Sequence, residues 1–74
     1  MPLPDTVSVL SSSLSAIGYD AERQELHVRF VSGATYAYLD VPREVFHALL
    51  QSTSKGAFVN RELKPRYDVR DVAP

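Results

Sequence analysis

The stretch that decides the fold is residues 26–38, LHVRFVSGATYAY. Apolar and polar side chains alternate over residues 26–30, a pattern typical of a strand with one buried face. Ser32-Gly33 indicates a hairpin turn, because glycine tolerates the positive φ that such turns need. A second strand follows, and its Tyr36 and Tyr38 leave from the same face of the sheet because they are two residues apart.

Two turn lengths are compatible with this hairpin, and they place the tyrosines on opposite faces. With a two-residue turn, both tyrosines share the open face with His27 and Arg29, an arrangement that single-stranded RNA binders use. With a three-residue loop and Gly33 in the left-handed bulge position, Leu26 pairs with Tyr38 and both tyrosines enter the core. We favour the longer loop, because a small chain without tryptophan needs its large aromatic side chains in the core.

The flanking segments predict one strand before the hairpin and two helices after it. Residues 13–19 are predicted to form a strand, which completes a three-stranded antiparallel meander. Pro42 suits the first position of a helix, and the apolar spacing predicts a helix over residues 42–52. A second helix is predicted over residues 55–63 and ends before Pro65. We therefore expect an α+β two-layer sandwich, βββαα, in which the helices cover one face of the sheet.

Composition indicates one small globular domain of 74 residues, 45% hydrophobic and 23% charged. We predict a loose N-terminal segment over residues 1–10, a domain over residues 11–67 and a C-terminal tail over residues 68–74. Cysteine is absent, which argues against a disulfide framework and a thiolate zinc site. The chain has no apolar run of membrane-spanning length and no signal-peptide pattern, so we expect a cytoplasmic protein with no membrane partner.

The chemistry-bearing side chains do not form a recognisable catalytic or metal-binding pattern. His27 and His47 lack a third ligand at metal-site spacing, and we expect both at the surface. Asp20, Glu22 and Glu25 cluster at a predicted turn, where solvation and ordinary pKa values are expected. No serine lies in a nucleophile elbow, and no glycine-rich phosphate loop is present. The sequence therefore predicts a protein that is not an enzyme and uses neither a metal nor a cofactor.

The net charge of −1 gives no overall attraction for nucleic acid, but the C-terminal part of the chain is basic. Between residues 55 and 70, five basic residues stand against two acidic ones. Such a cluster is either a solvated helix face or an electrostatic footprint for nucleic acid. The candidate nucleic-acid-binding residues are Lys55, Asn60, Arg61, Lys64 and Arg66, with Arg29 and Tyr38 as secondary candidates.

Several short motifs occur in order along residues 11–67. They are Gly18-Tyr19-Asp20, Leu26-x-Val28-x-Phe30, Ser32-Gly33, Tyr36-x-Tyr38, Val41-Pro42, Ser54-x-Gly56, Asn60 and Tyr67. Together they resemble the KTSC domain, a family named after the C-terminus of some lysyl-tRNA synthetases and also found as small bacterial proteins. Glu62-Leu63-Lys64 stands where family members usually carry an isoleucine–arginine pair, which is a mild departure. The resemblance implies no enzymatic activity, and its synthetase context suggests RNA binding by association only.

Two classes of function remain open at this point. The first is a small non-enzymatic binding module that binds RNA weakly and salt-dependently through the basic segment. The second is a protein–protein or homodimerisation module that uses a free edge of the meander. An accessory or inhibitory domain that acts on another protein belongs to the same second class.

Overall fold

A computed structural model describes residues 7–8 and 13–72, with side chains for the second range, and shows a five-stranded antiparallel sheet with helices on one face. The elements in chain order are β1 (Val7–Ser8), β2 (Leu14–Asp20), β3 (Glu25–Phe30), β4 (Thr35–Tyr38), α1 (Arg43–Gln51), α2 (Lys55–Phe58), a π-helix (Val59–Leu63) and β5 (Val69–Asp71). The strands lie side by side in the order β1-β2-β3-β4-β5. The predicted α+β class and its βββαα centre are confirmed, and two short strands are added to the sheet.

The β3–β4 hairpin has the longer, three-residue loop. The N–H of Gly33 donates to the carbonyl of Phe30 at 2.9 Å, and the N–H of Phe30 donates to the carbonyl of Ala34 at 2.8 Å. Gly33 has a φ of +99°, a backbone conformation that favours glycine. Leu26 therefore lies opposite Tyr38, and the register that turns the tyrosines toward the helices is confirmed.

The core lies between the sheet and the two helices. Tyr19 joins the layers, because its hydroxyl donates to the carbonyl of Val41 at 2.5 Å and its ring stacks on Phe46 of α1, with 5.2 Å between ring centroids. Tyr67 packs against the same core. The buried core residues are Leu14, Ile17, Tyr19, Leu26, Val28, Tyr38, Val41, Leu49, Val59 and Leu63. Full burial of one such aliphatic side chain stabilises the fold by roughly 1.5–3 kcal/mol.

Two strands lie where the sequence pattern predicts irregular structure. The predicted C-terminal tail, residues 68–74, contributes β5, which pairs with β4. The predicted loose segment, residues 1–10, contributes β1, which pairs with β2, and its other residues lie outside the described part of the chain. Strands of two and three residues are too short for alternation to be recognised. Instead, a contact distant in sequence helps to hold β5, an ion pair from Arg70 to Glu25 of β3 at 2.7 Å.

The second helical segment changes its hydrogen-bonding pattern after α2. The predicted helix over residues 55–63 is confirmed, but its second half is a π-helix. The N–H of Lys64 donates to the carbonyl of Val59, five residues earlier, at 2.9 Å. A π-helical turn holds one more residue than an α-helical turn and is often found at functional sites. Here Val59 and Leu63 are both fully buried, and Lys64 follows at the surface.

Candidate functional site

The helices leave one part of the sheet uncovered, and this part forms a groove with a volume of about 600 Å³. Its walls include Phe30, Val31, Tyr36, Tyr38, Lys64 and Val69. Val31 is 62% exposed and Val69 is 49% exposed, and they are the exposed large hydrophobic residues of the described part of the chain. Both valines therefore contribute exposed apolar surface to the groove.

Aromatic rings form a wall of the groove. Phe30 and Tyr36 are half-buried and meet edge to face, with 5.7 Å between their centroids and 73° between their planes. This geometry is one that aromatic pairs prefer. Tyr38 lies deeper and is 2% exposed. Burial raises the pKa of the Tyr38 phenol, and the neighbouring Tyr36 raises it further, so Tyr38 is a neutral phenol at neutral pH.

A close approach of α2 to the sheet borders the groove at Ser13. A Cβ at Gly56 would lie 2.8 Å from the Ser13 hydroxyl oxygen and 3.1 Å from its Cβ. These distances are shorter than ordinary van der Waals contact, so glycine allows the helix to lie this close to the start of β2. Gly56 therefore permits the close approach between α2 and Ser13, which precedes β2.

The basic candidate residues differ in their surroundings. Lys64 lines the groove and is exposed. Arg66 is paired with Glu62 at 3.5 Å, and the Lys55 ammonium donates to the carbonyl of Ser52 at 2.9 Å. An exposed ion pair such as Arg66–Glu62 contributes about 0–1 kcal/mol, so it engages the Arg66 guanidinium without stabilising the fold strongly.

Among the remaining candidates, Asn60, Arg61 and Arg29 do not line the groove. Asn60 and Arg61 are exposed on the π-helix. Arg29 is exposed on the opposite face of the sheet, because it alternates with buried residues of β3. Tyr38 is buried in the core, so its proposed role as a nucleic-acid-binding residue is wrong: a ring with 2% exposure cannot stack on a base.

On the face of the sheet away from the helices, the largely buried Glu25 and His27 form a cluster with the half-exposed Arg70. One carboxylate oxygen of Glu25 accepts hydrogen bonds from His27 Nε2 at 3.1 Å and from Arg70 at 2.7 Å. The side chains of His27 and Glu25 are only 11% and 13% exposed, so the expected surface histidine and solvated carboxylate are wrong for this pair. The strand spacing of two residues was the available signal, because it places both side chains on one face.

The electrostatics of this cluster favour the ionised carboxylate. Burial acts to raise the pKa of Glu25, but hydrogen bonds from His27 and Arg70, together with their charges, outweigh it and hold the pKa below its ordinary value. An ionised carboxylate can only accept hydrogen bonds, so Nε2 of His27 is the donor in this contact. Nδ1 is buried without a hydrogen-bond partner in the described structure. The cluster therefore links β3 to β5.

The other acidic residues do not form a second site within residues 7–8 and 13–72. Asp20 accepts hydrogen bonds from the N–H groups of Glu22 and Arg23 at 3.1 and 3.2 Å, so its carboxylate stabilises the β2–β3 turn. His47 is exposed on α1, as expected. No group of three or more potential metal ligands occurs in this part of the chain, and none of its helices is long and apolar enough to cross a membrane.

Comparison with known proteins places these features in a family. The family model of the KTSC domain matches residues 10–67. A protein from Tsukamurella paurometabola is 52% identical over 59 residues, which cover 80% of this chain and 88% of that protein. A protein from Stutzerimonas stutzeri, described as uncharacterized, is 49% identical over 61 residues, which cover 82% of this chain and 86% of that protein.

A solved structure shows the same fold. The crystal structure of a KTSC domain protein from Yersinia pestis matches with a TM-score of 0.87 at 31% sequence identity. The match covers 92% of this chain and 96% of that chain. It therefore extends beyond residues 10–67 and includes sequence outside the family model.

Proposed function

Because this chain belongs to the KTSC domain family, we propose its function from the geometry that the fold presents: a small non-enzymatic binding module that holds an apolar segment of a partner protein in the groove. The observation that carries this proposal is that Val31 and Val69 both line the groove, beside the aromatic rings of Phe30 and Tyr36. Singly scattered apolar side chains are normal on protein surfaces, whereas a contiguous exposed patch is typical of an interaction site.

The surroundings of the titratable side chains support a non-enzymatic role. Glu25 is held by His27 and Arg70 between two strands, and Asp20 stabilises a turn. Among the described residues that line the groove, Lys64 is the charged one, and neither a carboxylate nor an imidazole accompanies it. General acid–base chemistry needs such a group within hydrogen-bond reach of the substrate. We also assign the protein to the cytoplasm, since a sequence without cysteine suits a reducing compartment.

Selection from a peptide library displayed on phage tests the groove directly. We expect the wild-type protein to enrich peptides with large apolar side chains, and we expect these peptides to lose binding to a Val69→Lys variant. The reason is that the substitution puts an ammonium group in an apolar wall. Asn60→Lys is the matched control, because it adds the same charge at an exposed position outside the groove. The proposal is contradicted if no selected peptide binds the Val69→Lys variant more weakly than it binds the Asn60→Lys control.

A second copy of the chain is one partner that the free sheet edges could accept. Sedimentation at micromolar concentrations separates this case from a different partner. A dimer that dissociates in the Val69→Lys variant identifies the partner as a second copy. A monomer that still binds selected peptides identifies a different protein, which includes the case of an accessory or inhibitory domain.

Weak RNA binding is a second candidate function, and the surroundings of two cations favour it. Arg61 and Lys64 have no ion-pair partner among the described residues, and Lys64 lies beside aromatic rings. Cations next to aromatic side chains are what single-strand binders use. We expect an oligouridylate at low salt to shift the amide resonances of residues 55–66, with a loss of binding as salt increases. Unchanged resonances at low salt, or an equal response in an Arg61→Met and Lys64→Met double variant, exclude this function.

A further inference from the structure

We propose that the partner segment binds as an extended strand on the free edge of β5, places an apolar side chain in the groove, and pairs a carboxylate with Lys64. This inference rests on the proposed protein-binding function and specifies the chemistry of its ligand. Three observations carry it: the direction of the backbone groups of β5, the position of Val69, and the surroundings of Lys64.

The side of β5 that faces away from β4 presents unpaired backbone groups. The N–H of Val72 donates to the carbonyl of Thr35 at 3.0 Å, so the backbone of residue 72 faces β4. Successive residues of an antiparallel strand turn their backbone groups to alternate sides, so the N–H and carbonyl groups of Val69 and Asp71 face away from β4. Among the described strands, β5 is the last in the sheet and none lies on its outer side.

Val69 belongs both to this free edge and to the groove. It lies opposite Tyr38, so its side chain leaves from the helix-facing side of the sheet, and it is half exposed there. In an added strand, the residue opposite Val69 would have its Cβ about 4.5–5.5 Å away on the same side. Its side chain would therefore enter the groove. Recognition by strand addition combines backbone hydrogen bonds for affinity with side-chain pockets for specificity.

The short length of β5 limits what the edge can do alone. Three residues offer few hydrogen bonds, and short edge strands with charged side chains are a common protection against unspecific pairing. Binding therefore requires the edge and the groove together. A partner that lacks the apolar side chain gains little from the backbone pairing.

The groove selects a carboxylate on the partner because its cation has no counter-ion. Lys64 has no ion-pair partner within residues 7–8 and 13–72, whereas Arg66 and Arg70 are each paired with a glutamate. A charged group at an interface favours a partner group of opposite sign. Asp71 lies on the same side of the sheet, opposite Tyr36, and it disfavours a second carboxylate at its end of the edge. The expected ligand therefore has one acidic position next to its apolar anchor.

The test uses peptides that the wild-type protein selects from a random library, resynthesised in matched pairs. Changing the acidic residue to its amide should weaken binding to the wild-type protein about two- to fivefold, as expected for an exposed ion pair. The same change in the peptide should have no effect on its binding to the Lys64→Met variant of the protein. Arg61→Met is the control, because it removes an exposed cation that does not line the groove. When the Lys64→Glu variant is the target of the peptide selection, the selected peptides should carry lysine or arginine at the position that was acidic.

Strand addition has its own readout, independent of charge. N-methylation of the peptide residues that face β5 should abolish binding, and N-methylation of the alternate residues should leave it intact. In the complex, the amides of Val69 and Asp71 should become protected from hydrogen exchange. Circular dichroism of each protein variant verifies that it is folded before its affinity is interpreted.

The outcomes separate this inference from the function on which it rests. Peptides that depend on Val69, on their acidic residue and on unmethylated alternate amides support the full proposal. Peptides that depend on Val69 but tolerate both the amide change and every N-methylation overturn this inference and leave the proposed function intact. Absence of any Val69-dependent peptide overturns both.

Discussion

The two faces of the sheet are held together by different forces. The helix-facing side is apolar except for Asp71 at its edge, and its core side chains are buried under α1, α2 and the π-helix. On the opposite side, His27 lies between Gly18 and Ala37 on the neighbouring strands, and Glu25 accepts hydrogen bonds from both its imidazole and Arg70. The stability of one face therefore depends on buried apolar area and that of the other on charge. Truncation of an apolar side chain affects the first, and a change of charge or pH affects the second.

The open part of the sheet lies on the apolar side, where separate elements provide the cover. On the opposite face, the charged cluster consists of side chains of the strands themselves. The helix-facing side depends on two short helices, of which α1 has nine residues and α2 has four before the π-helix. Helices of this length do not cover Phe30, Tyr36 and Val69 completely. The groove is the consequence of covering a five-stranded sheet with little helix.

The largest expected effect comes from removing apolar volume on the helix-facing side. Leu26→Ala should reduce the free energy of unfolding by about 2–5 kcal/mol, because Leu26 is fully buried and its truncation leaves a cavity. Val31→Ala, on the exposed groove wall, should change stability by less than about 0.5 kcal/mol. Urea unfolding of both variants measures the contrast. Equal effects would mean that the uncovered region is packed as tightly as the core.

The next effect tests the charged face. Glu25→Gln should cost about 1–3 kcal/mol at neutral pH, because it removes the charge that both His27 and Arg70 contact in a largely buried site. Arg66→Gln is the matched control, since it breaks the exposed pair with Glu62 and should change stability by less than about 1 kcal/mol. Chemical denaturation at pH 7 compares the two.

The pH dependence of this face follows from the lowered pKa of Glu25. A carboxylate whose folded-state pKa is lower than its unfolded value stabilises the fold above the unfolded value, and this contribution is lost as the pH falls through the folded-state pKa. The ordinary value is 4.5. The stability gap between the wild-type protein and Glu25→Gln should therefore be widest above that value and narrow in acid. If the difference in unfolding free energy between the two proteins stays constant from pH 7 to about pH 3, the pKa of Glu25 is not lowered by folding.

A smaller loss of stability is expected from the buried hydrogen bond of Tyr19. Tyr19→Phe should cost about 0.5–1.5 kcal/mol, because it leaves the carbonyl of Val41 without the buried hydroxyl donor. Tyr36→Phe removes a hydroxyl from a half-buried ring at the groove and serves as the control, with an expected change near zero. Thermal unfolding followed by circular dichroism is sensitive enough to separate them.

The smallest effect on stability is expected in the groove itself. Val69→Lys should change the free energy of unfolding by less than about 0.5 kcal/mol, because the side chain is half exposed. The same variant should lose peptide binding. A strongly destabilised Val69→Lys would show that the groove is part of the structural core and would remove the basis for a docking surface.

The hairpin could be predicted from the sequence, because a small core needs its tyrosines and this demand selects the three-residue loop. The pairing of Glu25 with His27 was also accessible through their spacing in a strand, although composition alone suggested exposure. The contact of Arg70 with Glu25 could not be predicted from the sequence, because β5 is too short to show alternation and the two residues are far apart in the chain.

The candidate site was less accessible from the sequence than the fold. Lys64 was predicted as a binding residue among seven, but nothing in the residue types indicates that a π-helix follows α2 and ends beside the groove. The groove itself depends on how far the helices extend over the sheet, which is set by packing rather than by local pattern. Whether Lys64 binds a partner stays a prediction.

The order of the strands has a consequence for how the molecule folds. β2, β3 and β4 each pair with the strand that precedes them and follow it closely in sequence, so their pairing closes only short loops. β5 joins β4 only after both helices have been traversed, and the entropy of loop closure grows with that separation. We therefore expect β5 to form last and to open most readily, with the fastest hydrogen exchange in the sheet. The docking surface would then assemble and dissolve without unfolding of the meander beneath it.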